Sequence, residues 1–191
     1  METSLPLKSQ LRREVRTVGK QLPVALRDQQ SQEIMRLLED LPVFQRARVV
    51  LIYAALPDEV QTAPFLQRWY KRKQLLLPVV VGNELEVRRF AGMESMAVGS
   101  FGVLEPTGRQ AFTDFSEIDV AIIPGVAFTH DGKRMGRGKG FYDRLLAPPA
   151  FRKVYKIGVA LSHQIVSDLP TEPHDISLDL VLTASSDTST F

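Results

Sequence analysis

The chain has 191 residues, 44% of them hydrophobic and 24% charged, which suits one domain with its own core and excludes a disordered polymer. It contains no cysteine, so disulfides, thiolate metal sites and thiol nucleophiles are excluded together, and three histidines leave little imidazole chemistry. A formal net charge of +2 argues against a polybasic nucleic-acid binder, and the apolar runs near 49–56 and 75–81 are too short to span a bilayer.

In chain order, Leu11, Val15, Val18 and Leu22 recur at helical spacing with bases between them, predicting an amphipathic helix stopped by Pro23. Ile34, Leu37, Leu38 and Leu41 predict a second helix that Pro42 ends. The run RVVLIYAALP is apolar, β-branched and closed by proline, the pattern of a strand buried on both faces. After DEVQ, Thr62 and Pro64 open a helix carrying Phe65, Leu66 and Trp69, with Lys71, Arg72 and Lys73 suited to its C-terminal dipole. LLLPVVV reads as a second strand, Gly82 and Asn83 as a two-residue turn, and ELEVRRF as the hairpin partner.

DVAIIPGVAF predicts a third buried strand, THDGKR a turn, and FYDRLL a helix that Pro148 and Pro149 stop. VYKIGVAL and LDLVLTA supply two more strands, and SSDTSTF reads as a frayed tail. Strands alternating with helices imply one α/β domain over residues 1–191, built on a mostly parallel sheet with right-handed crossovers. In such sheets ligands bind beyond the carboxyl ends of the strands, where the stretch after 119–128 begins.

That stretch, RMGRGKGFYD at 134–143, spaces three glycines evenly and interleaves them with Arg137 and Lys139. Glycine costs backbone entropy and like charges repel, so stability alone does not account for it. Successive glycines let backbone amides converge on an anion, and the helix start behind them adds positive potential. The spacing is neither G-x-G-x-x-G nor a Walker loop, since Gly140 follows Lys139 where Ser or Thr would stand. A phosphate loop and a flexible basic turn both fit. Asp143 either holds magnesium or favours the helix N-terminus. Glu172, His174, Asp175 and Asp179 form a second acidic cluster, which is equally a solvated turn. His163 beside Ser162 lacks a nucleophile elbow and reads as a surface pair.

Several segments together resemble the 5-formyltetrahydrofolate cyclo-ligases, also called methenyltetrahydrofolate synthetases. They are PGVAFTHDGKRMGRGKGFYDRLL, the Lys8 and Arg12 pair, the region of Tyr53 and Glu59, GVLEP at 102–106, Gln164, and His174 with Asp175. The resemblance implies a Rossmann-like three-layer fold of the type shared with ribose-phosphate isomerases and CoA transferases. It implies ATP- and Mg²⁺-dependent closure of 5-formyltetrahydrofolate to 5,10-methenyltetrahydrofolate. Lys8, Arg12 and the loop Arg134, Met135, Gly136, Arg137, Gly138, Lys139, Gly140, Phe141 and Tyr142 are then expected to hold ATP. Tyr53, Ala54 and Glu59 are expected on the folate, with Arg137, Gly138, Lys139, Gly140 and Phe141 touching both substrates. Arg137, Lys139 and Tyr142 are the expected catalytic groups, and Asp143 and Asp175 the expected magnesium ligands.

The family commonly carries a double tyrosine before the aspartate, and Phe141 replaces the first one here. A cytoplasmic monomer acting on small molecules, without nucleic acid or membrane, is expected. The alternatives are an ATP-binding relative without this activity and a nucleic-acid module built on the basic loop.

Overall fold

The computed structural model describes residues 4–99 and 102–185. The predicted N-terminal helix is α1 (Ser4–Gln21), and the second is α2 (Val24–Asp40). Pro42 does more than stop α2. It occupies the first turn of a short helix α3 (Pro42–Arg46), where a missing N–H costs nothing.

The strand predicted over RVVLIYAALP pairs only as β1 (Val49–Leu51). Beyond it Ile52 still donates its amide to Leu76, at 2.9 Å, and the chain then leaves the sheet. Helix α4 (Ala63–Trp69) follows, with Thr62 turned away from a capping role to donate its hydroxyl to the Tyr53 carbonyl. Lys71, Arg72 and Lys73 lie past its end. Lys73 instead donates to the carbonyls of Gln45 and Ala47, at 3.0 and 2.6 Å, where α3 finishes.

β2 (Gln74–Val81) and β3 (Glu84–Arg89) form the predicted hairpin, with Gly82 at φ 60 in its turn. A second hairpin, β4 (Met96–Val98) with β5 (Leu104–Pro106), was not foreseen, because three-residue strands are too short for alternation to register. DVAIIPGVAF proves to be two strands. β6 (Val120–Ile123) stays in the sheet, whereas β7 (Ala127–Phe128) pairs with β8 (Arg134–Met135) in a separate ribbon. Pro124 has no amide for a ladder, and Gly125 sits against the Phe128 ring, which an added Cβ would meet at 2.7 Å. Helix α5 (Phe141–Leu146), β9 (Tyr155–Ala160) and β10 (Leu180–Thr183) complete the fold. The tail expected over SSDTSTF is residues 185–191, of which only Ser185 is described.

The main sheet runs β10-β9-β6-β1-β2-β3, all parallel except the edge strand β3. Alternate residues divide between two cores, as a pleated strand requires. Val50, Ile52, Val120 and Ile122 pack with Ile34, Leu38 and Phe44 from α2 and α3. Leu51, Ala121 and Ile123 pack on the other face with Leu145, Leu146 and Phe151. This three-layer arrangement matches the expected fold. No helix joins β9 to β10; an irregular segment with a 3-10 turn at Ser162–Gln164 carries Glu172, His174 and Asp175 to the carboxyl edge.

Candidate active site

A cleft of about 960 Å³ opens over the carboxyl ends of the strands. Its walls are α1, the segment after β1, the glycine loop between β8 and α5, the segment after β9, and the β2–β3 and β4–β5 hairpins. This is the edge at which parallel α/β sheets bind ligands.

The loop requires glycine at two of its positions. Gly138 has φ 97 and Gly140, just before α5, has φ 66; both lie in the left-handed region that other residues avoid. Gly136 is a docking point, since its carbonyl accepts the Arg12 Nε–H at 2.8 Å. Helix α1 is anchored there by Val15, which packs with Val126, Ala127, Met135 and Leu169. The Met135 side chain therefore belongs to this core.

The basic face of α1 is divided. Arg13, Arg16 and Lys20 are exposed, whereas Lys8 is buried and pairs with Asp175 at 2.7 Å and Glu172 at 3.7 Å. Burial pulls the Asp175 carboxyl up, but the Lys8 hydrogen bond and the Glu172 amide hold it below its usual range.

Arg137 crosses the cleft to two carboxylates. It meets Asp58 at 2.6 Å, and Glu59 through Nε and Nη2 at 3.2 and 3.0 Å. The Leu56 amide donates to the other Glu59 oxygen at 2.9 Å. Burial still pushes the Glu59 carboxyl above its ordinary value despite Arg137, while Asp58, less buried, is drawn below it by the same guanidinium. Tyr53 is buried and donates to the Val60 carbonyl; Ala54 lines the cleft beside it. Burial holds the Tyr53 and Tyr142 phenols well above their ordinary value, so both keep their protons at neutral pH.

Arg134 has almost no exposed side chain, and it donates to Asp143 at 2.7 Å and to the Pro124 carbonyl at 3.2 Å. Its guanidinium carbon stands 5.8 Å from the Tyr142 ring centroid. Asp143 thus neutralises a buried cation, and it also accepts the Ile176 amide at 3.5 Å. Ligand atoms of Glu172, His174 and Asp175 lie within 4.8 Å of one another, a cluster that does not include Asp143. Asp143 and Asp175 are brought to the same end of the cleft, each already facing a cation.

At the outer end, Lys139 Nζ and Arg144 Cζ lie 5.8 and 5.5 Å from the Phe141 ring centroid. The Phe141 ring thus stands beside two cations, a contact that needs no hydroxyl. Ser162 accepts from Gln30 at 2.9 Å, and His163 is half-buried against Gly19, so the two are not the surface pair expected. Asp58 and Glu105 line the cleft without having been marked as sites; Asp58 had only its neighbour Glu59 as a signal, and Glu105 only its place in GVLEP. Gln164 turns out to be structural, tying the Leu161 amide to the Gly125 carbonyl at 2.9 Å each.

The profile of the 5-formyltetrahydrofolate cyclo-ligase family matches residues 5–184. The 5-formyltetrahydrofolate cyclo-ligase of Escherichia coli K12 is 32% identical over 172 residues, spanning 84% of this chain and 93% of that protein. A probable 5-formyltetrahydrofolate cyclo-ligase of Schizosaccharomyces pombe is 30% identical over 172 residues, 82% of this chain and 84% of the relative. Among solved structures, the 5,10-methenyltetrahydrofolate synthetase of Aquifex aeolicus superposes with a TM-score of 0.81 at 36% identity, covering 92% of this chain and 89% of the other. The Mycoplasma pneumoniae 5,10-methenyltetrahydrofolate synthetase gives 0.74 at 26% identity, covering 92% and 98%.

Proposed function

The chain belongs to the 5-formyltetrahydrofolate cyclo-ligase family, and on that premise we propose that it closes 5-formyltetrahydrofolate to 5,10-methenyltetrahydrofolate at the expense of ATP. One observation carries the reading: a glycine loop bearing Arg134, Arg137 and Lys139 runs between a basic helix on one side and the Tyr53–Glu59 wall on the other. Phosphates and folate would meet on that loop.

The formyl oxygen is a poor leaving group. In the proposed reaction it attacks the γ-phosphorus of ATP, an O–P bond forms, and ADP departs with the electrons of the broken bond. N10 then adds to the formyl carbon and loses its proton, and the oxygen leaves as phosphate. Such phosphoryl transfer depends on positioning and charge neutralisation more than on a protein base. The amides of Gly136, Gly138 and Gly140, with Lys8, Arg12 and Arg134 behind them, suit the triphosphate, and Arg137 and Lys139 suit the transferred group. Tyr142 keeps its proton and acts as a donor. Tyr53, Ala54 and Glu59 face the folate, and Phe141 offers a ring for stacking.

The donor set fits Mg²⁺, which takes hard oxygen ligands: Asp175 and Glu172 supply carboxylates, and Asp143 has an oxygen besides the one on Arg134. When bound, Mg²⁺ neutralises phosphate charge there. The groups named gather at one sheet edge, which supports a single-domain enzyme working on small-molecule substrates; the lack of cysteine suits the cytoplasm.

Purified protein given ATP, Mg²⁺ and 5-formyltetrahydrofolate should develop the near-ultraviolet absorbance of the methenyl product. Folded protein that gives no signal with intact folate refutes the proposal; ATP binding without folate turnover would mark an inactive relative.

A further inference from the structure

Glu105 places a carboxylate among apolar neighbours on the cleft wall. Only 9% exposed, it lines the cleft beside Pro78, Val80, Leu85 and Val103, on the wall formed by the two hairpins. One oxygen accepts the Val80 amide at 3.1 Å, and among the described residues no Lys, Arg or His pairs with it. Gly99 makes room for the other oxygen: an added Cβ would lie 1.9 Å from Oε2 and 2.3 Å from Cδ. A carboxylate offers about four acceptor sites, so one amide leaves others open to a ligand in the cleft. Glu59, by contrast, already receives the Leu56 amide and two Arg137 N–H groups.

We infer that Glu105 is a specificity-determining acceptor for the substrate heterocycle, taking the adjacent N–H donors of the pterin's 2-aminopyrimidinone edge. The inference rests on the folate reading above. Two oxygens side by side match two parallel N–H groups, as they match a guanidinium. Adenine presents a donor next to an acceptor on its corresponding edge, and the acceptor would face a carboxylate oxygen; phosphate would be repelled outright. The apolar neighbours Pro78, Val80 and Leu85 suit ring faces. The wall therefore selects the folate ring and turns ATP toward the glycine loop.

The test is equilibrium binding of 5-formyltetrahydrofolate, and of its analogue with methyl in place of the 2-amino group, to full-length protein without ATP. Wild type should prefer the amino form by roughly tenfold or more. Glu105→Leu should lose roughly tenfold to a hundredfold in affinity for it, and most of the discrimination, with ATP binding unchanged. Gly99→Ala displaces the carboxylate without deleting it and should act in the same direction; with the wild-type comparison it decides the matter if Glu105→Leu does not fold. Wild type that turns over folate but ignores the 2-amino group overturns this inference alone, as does a folded Glu105→Leu protein with wild-type discrimination. Wild type that binds neither folate overturns the proposed function as well.

Discussion

Asp143→Asn keeps the shape of the side chain and an acceptor for Arg134, and removes only the negative charge. Arg134 has 2% of its side chain exposed and Asp143 has 18%, with 2.7 Å between them. The Arg134 Nε is buried without a partner among the described residues, so this guanidinium has no surplus of hydrogen bonds to absorb the loss. Breaking a buried pair costs about 3–5 kcal/mol, and the residual acceptor and partial exposure of Asp143 put the expected cost near the lower figure, about 3 kcal/mol. For a chain of this length that corresponds to a fall in Tm of about 6–12 °C. The assay is a thermal melt followed by circular dichroism, with EDTA present and no nucleotide. A carboxylate whose task is only to hold a cation would behave oppositely, since its removal from a cation-free acidic site relieves repulsion and raises Tm. An unchanged or higher Tm for Asp143→Asn refutes the counter-ion account. The double variant Arg134→Met with Asp143→Asn should regain most of the loss, because no buried charge is then left alone. Turnover of Asp143→Asn must be measured well below its own melting range, so that lost chemistry is not confused with lost fold.

Glu59→Gln should melt higher than wild type near neutral pH while turning over more slowly. Burial raises the folded pKa of Glu59, so its protonated form favours folding; that contribution is full below the ordinary 4.5 and is lost as pH rises through the higher folded value. Glutamine mimics the protonated form, so the difference in Tm should close on acidification below 4.5, and a gap independent of pH would contradict the burial argument. Phe141→Leu removes the ring proposed to stack on the folate, a contact of about 0.5–1 kcal/mol, so the folate KM should rise roughly two- to fivefold. Phe141→Tyr should stay within roughly twofold of wild type; a large gain would mean that the hydroxyl matters after all. Gly138→Ala forces a Cβ into φ 97 and should cost about 1–3 kcal/mol in stability, with a larger loss in turnover because the loop amides are re-aimed. Wild-type melting of that variant would disprove the conformational requirement.

Much of the fold was legible because burial leaves a local mark. Val50 and Leu51, and Val120 to Ile123, stand in unbroken apolar runs because helices cover both faces of their strands. The glycine loop stood out through its composition, since like charges on flexible backbone call for a partner, but composition alone did not separate a phosphate loop from a basic turn. Strand ends were misjudged at Ile52 and Pro124 for a related reason: the residues that leave the sheet stay buried in the cleft wall and the ribbon, so their apolarity continues past the last ladder bond. Residue chemistry alone could mark Asp143 and Asp175 as acids near the glycine loop and the last strand, but not as partners of Arg134 and Lys8.

By itself, then, the sequence determined the alternation of strands and helices, the glycine-rich loop before α5, and a family membership that runs almost from end to end. Only the tertiary structure decided which charges answer one another. Lys8 meets Asp175 from 167 positions away and Arg137 meets Glu59 from 78, while Glu105 stands on the facing wall without a cation among the described residues. Periodicity is local and survives in a one-dimensional string. The strength of an ion pair depends on separation and desolvation in space, and those exist only after the sheet has brought its carboxyl edge together.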